Sequence, residues 1–165
     1  MQIRKEGFSF NRLTPYTTLQ DYLQEIEKCW LLYCNFSKPV SIKEIKLRYI
    51  NKLHIQTDGK NCNLDEYLST GPKSPDPDNL SFTGFVQQHF LFDKATKHQA
   101  SVILISQPSE KNSIPVILDI TAIASNFNLD PLDWNSILEK IQELRKLINN
   151  IFYKMVTEKC LQQHK

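Results

Sequence analysis

Glycine occurs only four times in 165 residues, at Gly7, Gly59, Gly71 and Gly84. That spacing admits no GxGxxG, GxxxxGK(S/T) or GxSxG segment. Phosphate-cradling loops and nucleophile elbows need glycine because the backbone must approach the ligand or turn sharply. The nucleotide-binding and hydrolase designs built on those loops are therefore set aside. Clustered cysteine is missing too: Cys29, Cys34, Cys62 and Cys160 form no CxxC pair. A zinc site draws on clustered ligands, so no metal and no cofactor is expected. In a reducing compartment all four thiols stay free.

An excess of charge of one sign is likewise absent, since 20 Lys and Arg face 18 Asp and Glu, leaving a net charge of +2. That balance does not by itself point to nucleic acid or an anionic membrane. No apolar run approaches the roughly 18 residues of a membrane span. The opening "MQIRKEGFSF" has no hydrophobic core of a signal peptide. A cytoplasmic protein with no membrane partner is expected. Hydrophobic residues make up 41% and charged residues 23%, the balance of one ordinary globular domain able to bury a core.

What is present is periodic. Residues Ile3 to Leu13 read as a strand with Phe8 and Phe10 on one side, ended by Pro15. Thr18 followed by Asp21 opens a helix of about four turns, with Leu19, Tyr22, Leu23, Ile26, Trp30, Tyr33 and Cys34 at steps of three and four. A strand over 42–56 follows, then a turn at Asp58-Gly59 and a helical turn in "NLDEYL" capped by Asn63. The loop "STGPKSPDPDN" leads to three strands, 81–93, 100–107 and 114–124. Short polar links, "KATKH" and "PSEKNS", make their pairing antiparallel. Asp130-Pro131 caps the last helix, with Ser136 and Glu139 as an alternative cap one turn later. Its stripe of Ile137, Leu138, Ile141, Leu144, Ile148, Ile151, Phe152, Met155 and Val156 carries it to about Leu161. The order β-α-β-β-β-β-α is α+β: an antiparallel sheet of about five strands on a long C-terminal helix, which resembles helix-grip folds.

The candidate site residues centre on the strand "IKLRYINKLHIQ", Ile45 to Gln56. Its one face is Ile45, Leu47, Tyr49, Asn51, Leu53 and Ile55; the other is Lys46, Arg48, Ile50, Lys52, His54 and Gln56. Asn51 is an amide among apolar neighbours and is expected to be buried and hydrogen-bonded, as a structural bridge or as a polar anchor in a ligand cavity. Arg48, Lys52 and His54, with Lys46, are either the solvated face of the strand or a contact for a polyanion. Asp119, among apolar residues of another strand, calls for a cationic partner, with Arg48 or Arg12 the candidates. His89 lacks an assigned nucleophile. Phe8, Phe10, Phe82, Phe90 and Phe92 read as core aromatics.

Four stretches, "GFSFNRLTPYT" (Gly7 to Thr17), "LRYIN" (Leu47 to Asn51), "VILDI" around Asp119 and "IFYKMVTEKCLQ" (Ile151 to Gln162), resemble a sporadically distributed bacterial family of uncharacterised proteins. The resemblance spans nearly the whole chain and implies no activity and no catalytic residue. It implies a further β-α-β-like region ahead of the phenylalanine strand, so this chain is expected to be a natural short form, the product of a mis-called start, or a chain that needs a partner to cover its first strand. A strand left unpaired by such a loss would present free N–H and C=O groups. Together with a helix stripe that continues nearly to the end, this leads to an expected homodimer or protein partner. The functional expectation is a non-enzymatic binding or interaction module, ahead of a small-ligand pocket protein with Asn51 and Asp119 as anchors, a nucleic-acid-binding accessory protein, and last an enzyme.

Overall fold

The computed structural model describes residues 2–4, 7–13, 18–56, 64–76, 78–80, 82–108 and 113–163. The expected turn at Asp58-Gly59, the helix cap Asn63, the strand-ending Pro15 and Cys62 lie outside those residues. The chain is α+β, with a two-stranded ribbon, a four-stranded antiparallel sheet and a long helix near the C-terminus. It divides into two compact units, one of residues 1–44 and 126–139 and one of residues 45–125 and 140–165.

In the first unit, β1 (Gln2–Arg4) pairs antiparallel with β2 (Gly7–Ser9), placing Ile3 opposite Phe8. The single strand expected over 3–13 is thus two short ones. The first strand is paired within the chain. Helix α1 (Leu19–Ser37) runs one turn longer than the periodicity predicts. Asp21 at its start accepts hydrogen bonds from the Thr18 backbone N–H and hydroxyl, at 2.9 and 3.0 Å. At its end Lys38 adopts a left-handed φ of 45° and donates its N–H to the Cys34 carbonyl. Trp30 packs against Phe8 and Tyr33 and donates its indole N–H to the Pro131 carbonyl at 2.7 Å. Arg12 stacks over Tyr22.

Helix α2 (Trp134–Met155) starts three residues after the Pro131 position expected from the sequence. Its cap is Asp133, whose carboxylate accepts from the Ser136 N–H and hydroxyl. Those bonds, the hydroxyl first, hold the Asp133 carboxyl below the usual carboxylate range. Asp130 instead stitches the preceding turn by accepting from the Leu132 N–H. Pro131 is buried in that turn.

The second unit carries most of the sheet. Strands β3 (Ile42–Gln56), β4 (Val86–Phe92), β5 (Gln99–Ser106) and β6 (Ser113–Leu129) lie in the order β3-β6-β5-β4. β4 and β5 pair with Val86 opposite Ile105 and Phe92 opposite Gln99; β5 and β6 pair with Ile103 opposite Asp119. The β4–β5 turn closes on Asp93, whose carboxylate accepts from the Thr96 hydroxyl and the Ala95 N–H. Lys97 takes a left-handed φ of 62° there. β6 continues past the expected end at 124 to Leu129; Asn126 sits in it at a φ of 64°, which asparagine tolerates better than most residues.

One sheet face is closed. Ala100, Val102 and Leu104 of β5, Val116, Leu118, Ile120, Ala122 and Ala124 of β6, and Leu53 and Ile55 of β3 are buried. So are Leu144, Ile148, Ile151 and Met155 of α2. His98 fixes the helix to this face by its hydrogen bond with Glu143, 2.9 Å long. The helix ends at Met155, six residues short of the expected end, because Val156 leaves it to form a bridge with Leu68. Ser69 donates to the Met155 carbonyl and Thr157 to the Tyr67 carbonyl. Leu64, Tyr67 and Leu68, all buried, thus cover the apolar end of the stripe. A short 3-10 turn (Leu64–Glu66) and the residues after it thus bury this end of the stripe within the chain. A last helix α3 (Glu158–Gln162) is capped by Thr157 and buries Cys160. No helix among the described residues is long and apolar enough to cross a membrane.

Candidate functional site

Alternation in each strand sends every second side chain to the face opposite α2. The register assigns that face Val86, Gln88, Phe90 and Phe92 from β4, Ser101, Ile103 and Ile105 from β5, and Ile117, Asp119, Thr121 and Ile123 from β6. Arg48 joins from β3, bonded to Asp119, and carries Lys46, Ile50, Lys52 and His54 with it. Phe90 is 78% exposed, Val86 72% and Phe92 57%. Large apolar side chains at that exposure, next to half-buried isoleucines, form a contiguous apolar surface of the kind that marks contact sites.

Arg48 and Asp119 form the polar centre of this surface. The guanidinium donates Nε–H to Oδ1 at 2.9 Å and Nη2–H to Oδ2 at 2.5 Å. Asp119 is buried and Arg48 is exposed along much of its length. The hydrogen bond to Asp119, with its charge, outweighs burial and holds the Arg48 proton more tightly than usual. Of the two arginines that could answer Asp119, the fold selects Arg48.

The remaining sequence candidates do not gather into one site. Asn51 points to the closed face, opposite to Arg48, and is half-buried where full burial was expected; its Nδ2–H donates to the Leu118 carbonyl on β6 at 3.3 Å. It is a bridge between neighbouring strands. Lys46, Lys52 and His54 share a face with Arg48, but each is engaged with a partner. The basic stripe is therefore not a row of free cations. Phe90 and Phe92 are on the surface, where core positions were expected. No local signal gave this: alternation with Gln87 and His89 reads as a strand with its phenylalanines inward.

Two other groupings have chemical interest. An open groove of about 330 Å³ is lined by Cys34, Lys38, Val40, Asp130, Pro131 and Leu132 within the first unit. None of the sequence candidates lines it. Burial, and then the nearby Asp130 charge, push the Cys34 thiol upward, away from nucleophilic thiolate. Among the described residues no three potential metal ligands come together.

The second grouping is His98, Glu143 and Lys140. Burial raises the Glu143 carboxyl, but hydrogen bonds from Lys140 and His98, and their charges, outweigh it and leave it below its usual range. A carboxyl lowered on folding contributes stability that is present above its unfolded value, near 4.3, and is lost as pH falls through its lower folded value. Glu143→Gln should therefore flatten the acid limb of the stability curve. Urea midpoints measured from pH 7 down to pH 3 check this; equal slopes for the two proteins would show that the carboxylate has no such role.

Comparison of the chain with family models, with curated proteins and with solved structures gives no match.

Proposed function

We propose that this chain is a non-enzymatic interaction module whose contact surface is the open face of the four-stranded sheet. The sheet is covered by a helix on one face, while the other presents Val86, Phe90, Phe92 and Ile50 to water around the Arg48–Asp119 ion pair. Each exposed phenylalanine carries a body of roughly 150–250 Å² that gains by leaving water. The Arg48–Asp119 pair supplies orientation, because a partner that covers it must leave those charges matched. The sequence resemblance to a family without established activity lends no competing chemistry.

Binding of 8-anilinonaphthalene-1-sulfonate to the folded chain tests the surface. The wild type should enhance its fluorescence, and Phe90→Glu with Phe92→Glu should abolish most of that signal. Their melting temperature should stay within about 2 °C of wild type, as for surface substitutions worth no more than about 0.5 kcal/mol. Should either substitution unfold the chain, the phenylalanines belong to its core and the reading fails.

A further inference from the structure

The two edges of the sheet are built differently. Edge strand β3 carries Lys43, Glu44, Lys46, Arg48 and Lys52, charges that discourage another strand from pairing. Edge strand β4 is "VQQHFLF", with no charge and no proline. Its backbone orientation can be read from its ends. Asp93 N–H donates to the His98 carbonyl at 2.9 Å and the Phe85 carbonyl accepts from Ser106 N–H at 3.1 Å. Odd-numbered residues of β4 therefore direct their backbone groups at β5. In an antiparallel ladder the intervening residues, Val86, Gln88, Phe90 and Phe92, direct theirs outward. Among the described residues no strand pairs that outer side.

We propose that the occupant of this edge is a second copy of the same chain, joined β4 to β4 about a two-fold axis at His89. The proposal rests on the interaction-module reading and adds a second contact to it, at the edge beside the open face. An antiparallel pair across a two-fold must join residues that both face outward. Only symmetry about His89 uses the whole strand: Val86 meets Phe92 of the copy and Gln88 meets Phe90 of the copy. That register makes about eight inter-chain backbone hydrogen bonds. It sets β-branched against aromatic side chains, a favourable cross-strand pair.

Charge is compatible throughout. Just outside the strand, Asp93 would lie opposite Phe85 and Lys94 opposite Gly84, so no like charges meet. Area is compatible as well. At their observed exposures, Phe90 and Phe92 offer on the order of 200–350 Å² per copy. Edge pairing covers the flanks of these rings, so two copies bring at most about 400–700 Å² from them toward the about 1,200–2,000 Å² of a specific interface. The strand backbone, Val86 and Leu91 add to this.

A separate observation lies on the same strand. Gln87 Oε1 is buried without a hydrogen-bond partner, while Gln87 Nε2 meets His89 Nε2 at 2.7 Å. In the register centred on His89, the copy's own His89 stands diagonally across from Gln87, within reach of a long side chain. Its imidazole N–H is a donor for the orphaned oxygen. The pairing thus supplies what the single chain leaves unmet.

Sedimentation equilibrium of the full chain from about 1 to 200 µM, with cysteine cross-linking, tests the proposal. The wild type should move from monomer to dimer mass over that range. Gln88→Pro removes an outward N–H and no bond to β5, a place where an edge strand admits proline; it should shift the midpoint at least 10-fold upward. Gln88→Lys should do the same if proline disturbs folding. Under mild oxidation His89→Cys should form a disulfide-linked dimer beyond the wild-type level, since residues opposed in a non-hydrogen-bonded pair stand about 4.5 Å apart at Cα. Val86→Cys should not. A monomeric wild type at 200 µM, a dimer indifferent to both Gln88 substitutions, or equal cross-linking through residues 86 and 89 would overturn it. A monomer that still binds the dye through Phe90 sinks the self-pairing alone. A chain that Phe90→Glu unfolds sinks the interaction surface with it.

Discussion

Leu68→Ala is expected to lower the unfolding free energy by about 2–5 kcal/mol. Leu68 is fully buried and bridges to Val156, the residue at which the α2 stripe leaves its helix. The Ser69 N–H to Met155 carbonyl bond, 2.8 Å, and the Thr157 N–H to Tyr67 carbonyl bond, 3.0 Å, hold the surrounding backbone in place. Glu66 adds an ion pair to Lys159 and accepts from the Thr157 hydroxyl through its carbonyl. With the backbone so tied, the site cannot collapse into the space left by the lost methyls, so transfer and cavity costs add. The approach at Gly71 is equally close: a Cβ there would sit 3.3 Å from the Leu68 Cβ. Urea denaturation at pH 7 gives the number. Leu132→Ala, at a position 70% exposed, is the control and should stay within about 0.5 kcal/mol. If Leu68→Ala behaves like Leu132→Ala, the 64–71 segment does not seal the helix end.

The second large effect belongs to the ion pair. Arg48→Met should cost about 1.5–3 kcal/mol, the range for hydrogen bonds to charged groups. Asp119 would keep its place among the strands but lose all its guanidinium bonds. The cost should fall below the about 3–5 kcal/mol of a fully buried pair, because the Arg48 side chain is 59% exposed and water can reach the gap. Adding Asp119→Leu to Arg48→Met should recover most of the loss, since apolar replacement of both partners removes the stranded charge. A double-mutant cycle by urea denaturation reads the coupling directly. A coupling under about 0.3 kcal/mol would mean that solvent replaces Arg48 without penalty.

What the amino-acid sequence determined was local. Helix α1 and the strands over 42–56, 81–93, 100–107 and 114–124 were legible because their periods of 3.6 and 2 are written in neighbouring residues, although the second of these strands starts only at Val86. The α+β class followed from their order, and the pairing of the last three strands from the shortness of their links. The sequence also required a cation for Asp119, since a carboxylate among isoleucines is unstable alone. Tertiary structure alone decided the rest. Whether Arg12 or Arg48 answers Asp119 depends on β6 lying beside β3, an adjacency between residues 71 apart in the chain. The helix stripe reads on through Val156, and only the arrival of Leu68 shows why it stops at Met155. Phe90 and Phe92 look like core in any composition-based reading. They are exposed because β4 came to rest at the edge of a sheet whose one helix covers the other face. Period specifies which side chains share a face; which face is covered is settled by free energy gained in contacts between distant segments, and no local pattern encodes that.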